Sequence, residues 1–398
     1  MVSYFSGVLS SLLTTLFFVF LIATLGYLLG GIEYKGISLG TAGVLIVALI
    51  YGIIASRVGS FTIGEKTIVL FDSDTIKPIY SLISNLGTAL FVTAVGAIAG
   101  PKFFRNFKKS SVAYLLMGFV VILAGVAITL VIKFVSGMSF SLAVGLMTGA
   151  LTSTPGLSAA KDAAMDADAA TAGYGIAYLF GVLGVVLFVQ LVPKFARVNI
   201  EKERKNIHAA ADIKISRSTG KLYKIDSLDF FPFMLTVFLG MILGSIKIPG
   251  INFSLGTSGG TLIAGLIIGH FGHIGKIDLS ISKSTLNIFR ELGLMLFLIG
   301  AGVPGGVNFI KYVKISYFIY GAIITLVPMI VGYILGKYVF KLSIFNNLAS
   351  LTGGMTSTPA LGTLISVAGT DEIAGAYAAT YPIALVAVVL AAKLMVLI

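Results

Sequence analysis

Apolar runs of membrane-spanning length dominate this sequence and restrict it to few folds. Twelve such runs, 17 to 25 residues long, recur at 8–30, 39–55, 79–99, 111–135, 141–160, 172–193, 230–246, 257–273, 285–303, 313–336, 345–366 and 374–397. A helix needs about 20 residues to cross the hydrocarbon core of a bilayer. Only 11% of the residues are charged, less than half of the roughly 25% that is typical of soluble domains. The sequence therefore predicts an all-α integral membrane protein.

The basic residues are clustered beside the apolar runs. Nine of the 28 Lys and Arg lie between Lys194 and Lys224, and four more lie in "KFFRNFKK" at 102–109. Such clusters are typical of cytoplasmic loops that contact anionic lipid. We therefore expect these basic residues to contact the lipid bilayer and no nucleic acid. We interpret 196–229 as a cytoplasmic basic linker. The chain has no cysteine, and we expect neither a metal site nor a cofactor.

Segments of the first half recur in the second half in the same order. "LGYLLGGIEYKGISLGT" (25–41) aligns with "LGMILGSIKIPGINFSLGT" (239–257), and "GALTSTPGL" (149–157) aligns with "GGMTSTPAL" (353–361). Matches that keep their register over most of the chain indicate an internal duplication. We predict a first membrane repeat at 1–195 and a second at 230–398, joined by the linker.

Each copy contains the polar stretch Thr-Ser-Thr-Pro inside an apolar run. Proline removes a backbone donor and clashes with the preceding turn, so each stretch should break its helix. Freed backbone groups are tolerated in a membrane only where they are buried in protein or line a cavity, and matching interruptions in two repeats are typical of secondary transporters. We predict that the two stretches form one substrate site from Thr152, Ser153, Thr154, Pro155, Thr356, Ser357, Thr358 and Pro359. The alternative is that Pro155 and Pro359 merely kink two helices.

The number of membrane crossings decides how the repeats are related. Five transmembrane helices plus one broken or re-entrant segment in each half would invert the repeats, whereas six full crossings would leave them parallel. We favour two inverted repeats, because they allow alternating access by movement about a fixed site. With the linker inside, this arrangement places 102–109 inside and both chain termini outside.

Charged residues near the apolar runs are further candidates. Arg290 and Glu291 lie at the start of the stretch "FRELGLMLFLIGAG" within the run 285–303, where an ionisable residue indicates substrate positioning or proton coupling. Asn85 aligns with Glu291 in the first half. The alternative for Arg290 and Glu291 is a paired charge at the lipid interface. The aspartates that follow the first Thr-Ser-Thr-Pro stretch are expected to lie in a solvated loop; they are Asp162, Asp166 and Asp168.

Two tyrosine pairs follow the two polar stretches. Within each pair the residues are four positions apart, so they share one helix face; the pairs are Tyr174 with Tyr178 and Tyr377 with Tyr381. We predict that they line the cavity. Anchoring at the membrane interface is the alternative.

Together these motifs resemble the aspartate–alanine exchanger family of prokaryotic transporters. The resemblance lies in "GALTSTPGL" with "YGIAY" and in "GGMTSTPAL" with "YAATY", and it extends over roughly 10–195 and 230–398. It implies a multi-pass protein of the prokaryotic inner membrane that exchanges small amino acids or dicarboxylates, often as a homodimer with elevator-like motion. Many relatives carry soluble regulatory domains between the halves, whereas this chain has only 196–229.

Other functions stay open at this point. A Na⁺- or H⁺-coupled carboxylate carrier, or a cation antiporter of the same superfamily, would use the same broken helices with carbonyl groups around a cation. A channel would need a continuous pore. We do not expect an enzyme, because the sequence lacks a catalytic motif in the structural context that such a motif requires.

Overall fold

The computed structural model describes residues 15–34, 37–38, 41–63, 66–105, 112–196, 203, 222–248, 253–370 and 373–397. In the first half the helices are α1 Thr15–Gly30, α2 Ala42–Val58, α3 Ile76–Arg105, α4 Val112–Ser136, α5 Phe140–Ala150, α6 Thr154–Ala163 and α7 Ala167–Phe195. In the second half they are α8 Phe230–Ser245, α9 Gly256–Phe271, α10 Lys283–Tyr312, α11 Ile315–Ile334, α12 Ile344–Gly354, α13 Thr358–Ala368 and α14 Ala374–Leu397. A π-helical turn, Leu335–Val339, follows α11.

The two halves repeat the same series of elements. α1 and α8 each have 16 residues, α3 and α10 each have 30, and α5 and α12 each have 11. Antiparallel hairpins occupy matching places, and they are β1 Glu33–Tyr34 with β2 Ile37–Ser38, β3 Ser60–Ile63 with β4 Lys66–Val69, β5 Lys247–Ile248 with β6 Phe253–Ser254, and β7 His273–Ile274 with β8 Ile277–Asp278. The duplicated sequence thus folds into a duplicated element order.

The helical, membrane-spanning class predicted from the sequence is confirmed. Six helices in the described part of the chain are long and apolar enough to cross a membrane, and they are Ile76–Pro101, Val112–Ser136, Ala167–Phe195, Lys283–Tyr312, Ile315–Val339 and Ala374–Val396. Apolar helices of 10 to 17 residues accompany them, including Thr15–Gly30 and Phe230–Ser245. Residues 8–14 of the first predicted run lie outside the described residues.

The helices pack as two groups. In the flanking group, α1–α3 and α8–α10, helix α3 packs along α9 and α10, and α10 also packs along α2. In the break group, α4–α7 and α11–α14, helix α5 packs along α7 and α12 along α14. The groups meet chiefly where α7 lies on α10, α14 on α3 and α6 on α9. Both Thr-Ser-Thr-Pro stretches belong to the break group.

Most of the predicted linker, 197–202 and 204–221, lies outside the described residues, as does 106–111 of the first basic cluster. The end of the linker is fixed to the second half, because Tyr223 pairs with Ile277 of β8 and the Lys224 ammonium lies 2.7 Å from the Asp229 carboxylate. Burial opposes ionisation of Asp229, but the hydrogen bonds from Lys224 and from the Ser282 N–H outweigh it and hold the pKa of Asp229 below its ordinary value.

Candidate functional site

The first Thr-Ser-Thr-Pro stretch ends one helix and begins another. α5 ends at Ala150, the Thr152 N–H donates to the Gly149 carbonyl at 2.9 Å, and the Ser153 N–H donates to the Thr148 carbonyl at 2.8 Å. This pair of bonds is a Schellman cap, which needs a left-handed residue at its turn. Thr152 supplies it, with φ of +54°.

The second stretch repeats this cap at matching positions. The Thr356 N–H donates to the Gly353 carbonyl at 3.1 Å, and the Ser357 N–H donates to the Thr352 carbonyl at 2.9 Å. Thr356 is left-handed too, with φ of +51°. The prediction that each stretch breaks its helix is therefore confirmed, and the kink-only alternative does not describe either break.

The two breaks contact each other through a reciprocal pair of hydrogen bonds. The Thr152 hydroxyl donates to the Met355 carbonyl at 2.8 Å, and the Thr356 hydroxyl donates to the Leu151 carbonyl at 3.0 Å. Each bond is the image of the other under the duplication. The structure thus brings the predicted segments together from opposite halves of the sequence.

The reciprocal bonds explain why threonine occupies a position that usually takes glycine. A left-handed conformation costs a residue with a Cβ about 1–2 kcal/mol, and glycine would avoid that cost. Glycine, however, has no hydroxyl to donate across the break. Because Thr152 and Thr356 are only 7% and 8% exposed, the carbonyls that they reach would otherwise be buried without a partner, at about 1–3 kcal/mol each.

Beyond the caps, the N-termini of α6 and α13 begin at buried serines. Ser153 and Ser357 are both fully buried. The Ser153 hydroxyl accepts from the Gly156 N–H at 3.2 Å, which is an ordinary N-cap. The Ser357 hydroxyl has no hydrogen-bond partner in the described part of the chain. A buried hydroxyl without a partner requires an explanation, and a hydrogen-bonding ligand at the helix N-terminus is one that the geometry allows.

Of the remaining residues in the two stretches, the structure describes the side chains in the first stretch only. The Thr154 hydroxyl is hydrogen-bonded to the Tyr174 hydroxyl at 2.9 Å, and Pro155 is buried in the first turn of α6. Thr358 and Pro359 begin α13, and their side chains lie outside the described part. That Thr358 faces the shared site therefore stays a prediction.

The predicted tyrosines lie beside the breaks in different environments. Tyr174 is 1% exposed and contacts the first break through Thr154, and its ring lies 4.9 Å from that of Tyr178. Tyr377 and Tyr381 are partly buried and stack at 5.3 Å. A buried tyrosine that bonds to the first break is not an interfacial anchor.

Arg290, Glu291 and Asn85 are placed less centrally. The Arg290 guanidinium binds the adjacent Glu291 carboxylate at 2.7 Å, with 37% and 45% of the two side chains exposed. Asn85 is exposed. In the described part of the chain, no hydrogen bond or ion pair joins these three residues to the breaks, so a role for them in transport stays a prediction.

The packing register shows where the first break lies along the bundle. A side chain at Gly145 would collide with the Ala170 carbonyl, and one at Gly149 would collide with the Tyr174 carbonyl. Residue numbers therefore increase in the same direction along both helices where α5 contacts α7. The start of α7 meets the start of α3, where the Lys77 ammonium lies 3.0 Å from the Asp168 carboxylate. α5 and α7 therefore run in the same direction from one end of the bundle.

α6 returns toward the end from which α5 starts. Ser158 binds Thr88 at 3.0 Å and Lys161 binds Ser84 at 2.8 Å, so α6 runs opposite to α3. Ser84 and Thr88 lie eight and twelve residues after the start of the 30-residue helix α3. The N-terminus of α6 therefore lies near the middle of α3, where a transporter's site is expected.

A polar cluster next to α6 was not anticipated from the sequence. Asp162 accepts from the Ser258 hydroxyl at 2.7 Å and lies 4.0 Å from the Lys393 ammonium. Asp168 binds Lys77 and the Asn308 amide, each at 3.0 Å. Asp166 caps α7 and accepts from Tyr312. The three aspartates remain partly exposed beside the turn at 164–166, but contacts between helices hold each carboxylate, which the expectation of a solvated loop did not include.

The geometry of the breaks suits an anionic ligand. Two helix N-termini face the centre of the bundle, and N-termini favour negative charge through their free N–H groups and the helix dipole. Serine hydroxyls at both N-termini can donate hydrogen bonds. Within the described residues, no group of three or more acidic or histidine side chains could hold a metal ion.

Comparisons with known proteins agree with the membrane assignment. A family model described as a predicted permease membrane region matches residues 18–194 and 232–397. The chain is 26% identical to an uncharacterized transporter of Bacteroides fragilis over 94% of this chain and 96% of that protein. It is 27% identical to one of Bacteroides thetaiotaomicron over the same shares, and 26% identical to one of Rhodopirellula baltica over 93% and 97%.

Proposed function

Because the chain belongs to the aspartate–alanine exchanger family of predicted permeases, we propose that it is a secondary active transporter of small carboxylate-bearing solutes. It exchanges small amino acids or dicarboxylates, of the aspartate and alanine kind, by alternating access. The chain is a multi-pass membrane protein, and we place it in the prokaryotic inner membrane as a homodimer. The three domains are the two membrane repeats and the basic linker between them.

One observation carries this proposal. Two helix breaks from opposite halves of the sequence meet through reciprocal hydrogen bonds, next to a fully buried serine that has no hydrogen-bond partner among the described residues. A protein without a ligand for this place would have little reason to keep an unsatisfied hydroxyl in its core. Solute carboxylates would accept hydrogen bonds from the Ser153 and Ser357 hydroxyls and from the Thr154 and Thr358 N–H groups, because the prolines that follow have no N–H to donate.

The packing register supports inverted repeats. α5 enters the bundle and α6 returns, which supports a first half of five crossing helices and one re-entrant segment. An odd number of crossings would invert the second half. The break group would then move against the flanking group in an elevator-like manner, while the site stays between the two breaks. Such a motion exposes one site to each side in turn.

This topology predicts that two hairpins lie on opposite sides of the membrane. Thr62 in β3 and Lys276 between β7 and β8 are both exposed, and the natural chain has no cysteine. In intact cells an impermeant thiol reagent should label a Thr62→Cys variant, whereas Lys276→Cys should react only after permeabilisation. Labelling of both variants from the same side would indicate parallel repeats.

Two other transport modes compete with exchange. An ion-coupled carrier would bind Na⁺ or H⁺ together with the solute, and its transport would follow an imposed ion gradient. A channel would leave an open route at the breaks, but Thr152, Ser153, Thr356 and Ser357 are at most 8% exposed. This burial favours a carrier in a closed state over an open channel.

Counterflow in proteoliposomes tests the proposed function. Vesicles preloaded with unlabelled L-aspartate, L-alanine or succinate should take up the same labelled solute transiently, without any ion gradient. Uptake that requires an imposed Na⁺ or pH gradient would identify an ion-coupled carrier instead. Absence of uptake for all three solutes, in protein that stays folded and inserted, would overturn the proposal.

A further inference from the structure

Lys161 is a partly buried cation on the helix that starts at the first break. It follows Thr154 by seven residues and Ser158 by three, so these three side chains share one face of α6. The Lys161 ammonium donates to the Ser84 hydroxyl at 2.8 Å and lies 5.3 Å from the centre of the Phe297 ring. Both of these partners are uncharged.

The carboxylates nearest to Lys161 are engaged elsewhere. Asp162, its neighbour in sequence, points to Ser258 and Lys393. Asp168 is held by Lys77 and Asn308. No carboxylate in the described part of the chain lies within 4.0 Å of the Lys161 ammonium, whereas Arg290 has Glu291 and Lys224 has Asp229. Lys161 therefore forms no ion pair within the described residues, and the two acids that act on it electrostatically, Asp162 and Asp168, each also lie beside another cation.

The distance from Lys161 to the break decides what this charge can do. Seven residues of α-helix extend about 10 Å, which is too far for one small solute to bind the N-terminus of α6 and the ammonium together. It is short enough for the charge to act through the protein. At an effective dielectric constant of about 20, a unit charge 10 Å away changes the affinity for another unit charge roughly tenfold.

We propose that Lys161 sets the charge preference of the carrier by stabilising anionic solutes electrostatically at the breaks. This inference rests on the proposed function and narrows its substrates to solutes with a net negative charge. In this account Lys161 is a specificity residue that does not touch the solute. The second repeat has Ile365 at the matching position. Only the first repeat therefore places a positive charge near the breaks, whereas two identical repeats would place either two charges or none there.

The expected signature is a loss of affinity that grows with the charge of the solute. At neutral pH, L-alanine is uncharged overall, L-aspartate carries one net negative charge and succinate carries two. Lys161→Gln should leave the affinity for L-alanine near that of the natural protein, weaken L-aspartate roughly tenfold and weaken succinate roughly a hundredfold. Lys161→Arg keeps the charge and should preserve the order of the three affinities.

Calorimetric titration of the purified protein with the three solutes measures these ratios. Lys276→Gln removes the same charge from an exposed hairpin and should change none of them. Because Lys161 has no acidic partner to leave unpaired, Lys161→Gln should fold with a thermal stability close to that of the natural protein. An equal loss for all three solutes would assign Lys161 a structural role and overturn the proposal, and so would unchanged affinities for all three. If the natural protein itself binds none of the solutes, the proposed function fails instead.

Discussion

Replacing Thr152 or Thr356 by valine should destabilise the protein by about 1–3 kcal/mol and reduce exchange at least tenfold. Valine keeps the shape and the β-branching of threonine, so the strain of the left-handed turn is unchanged. Only the hydroxyl is lost, and the buried Met355 or Leu151 carbonyl is left without its partner. An unsatisfied buried carbonyl carries a penalty of this size. Thermal unfolding in detergent and counterflow in vesicles measure the two effects.

Serine at the same positions is the matched control. Thr152→Ser and Thr356→Ser retain the hydroxyl and should stay close to the natural protein in both measurements. The double valine variant should lose less than the sum of the two single losses, because both hydrogen bonds join the same two segments. If all the valine variants unfold at the same temperature as the natural protein, the reciprocal hydrogen bonds do not hold the two breaks together.

A second large effect is expected from the two capping serines, and it should differ between them. Ser153 caps the Gly156 N–H, so Ser153→Ala should lower the stability of the unliganded protein by about 1 kcal/mol. Ser357 has no partner in the described part of the chain, so Ser357→Ala should leave that stability unchanged or slightly raised. Affinity for the transported solute should fall in both variants, about ten- to a hundredfold, since a hydrogen bond to a charged group contributes roughly 1.5–3 kcal/mol.

Unchanged affinity in Ser357→Ala would indicate that the unpaired hydroxyl does not face the ligand. Ser153→Thr and Ser357→Thr serve as controls, because they retain the hydroxyl while adding a methyl group. Comparing the thermal stability of each variant with and without solute separates its effect on the fold from its effect on binding.

The sequence predicted the positions of the breaks because their causes are local. Proline at the second position of a helix and serine as its cap act within a few residues, and apolar runs mark each helix on either side. The predicted runs 111–135 and 374–397 agree with α4 and α14 within one residue at each end. The duplication was also readable, because it needs only the comparison of one half with the other.

The contacts between the breaks could not be predicted in this way. That Thr152 bonds to Met355, and Thr356 to Leu151, depends on the packing of segments about two hundred residues apart. The partners of the aspartates could not be predicted for a related reason. Their spacing after the break is typical of a loop, but partners such as Ser258, Lys393 and Lys77 come from distant helices. Sequence periodicity indicates which face of a helix is apolar and gives no information about which distant side chain meets it.

The surroundings of Lys161 could not be predicted from the sequence, where three aspartates follow it within seven residues. In sequence, one lysine close to three aspartates indicates a surface charge that is neutralised by its neighbours. In the structure the aspartates turn to other partners and leave the lysine beside a serine and an aromatic ring. A cation directly after the apolar run 141–160 was the available signal, and an ionisable residue beside a membrane span is a functional candidate by default.

The most direct test of the shared site is a double-mutant cycle between Ser153→Ala and Ser357→Ala, measured as equilibrium binding of a solute. The solute is L-aspartate, or L-alanine or succinate if one of these binds the natural protein more tightly. A shared site predicts one bound solute per chain and a loss of affinity in each single variant. The fold-loss of affinity in the double variant should be smaller than the product of the two single fold-losses, because residues that share one ligand are coupled. Two bound solutes per chain, or losses that combine independently, would contradict a single site built from both breaks.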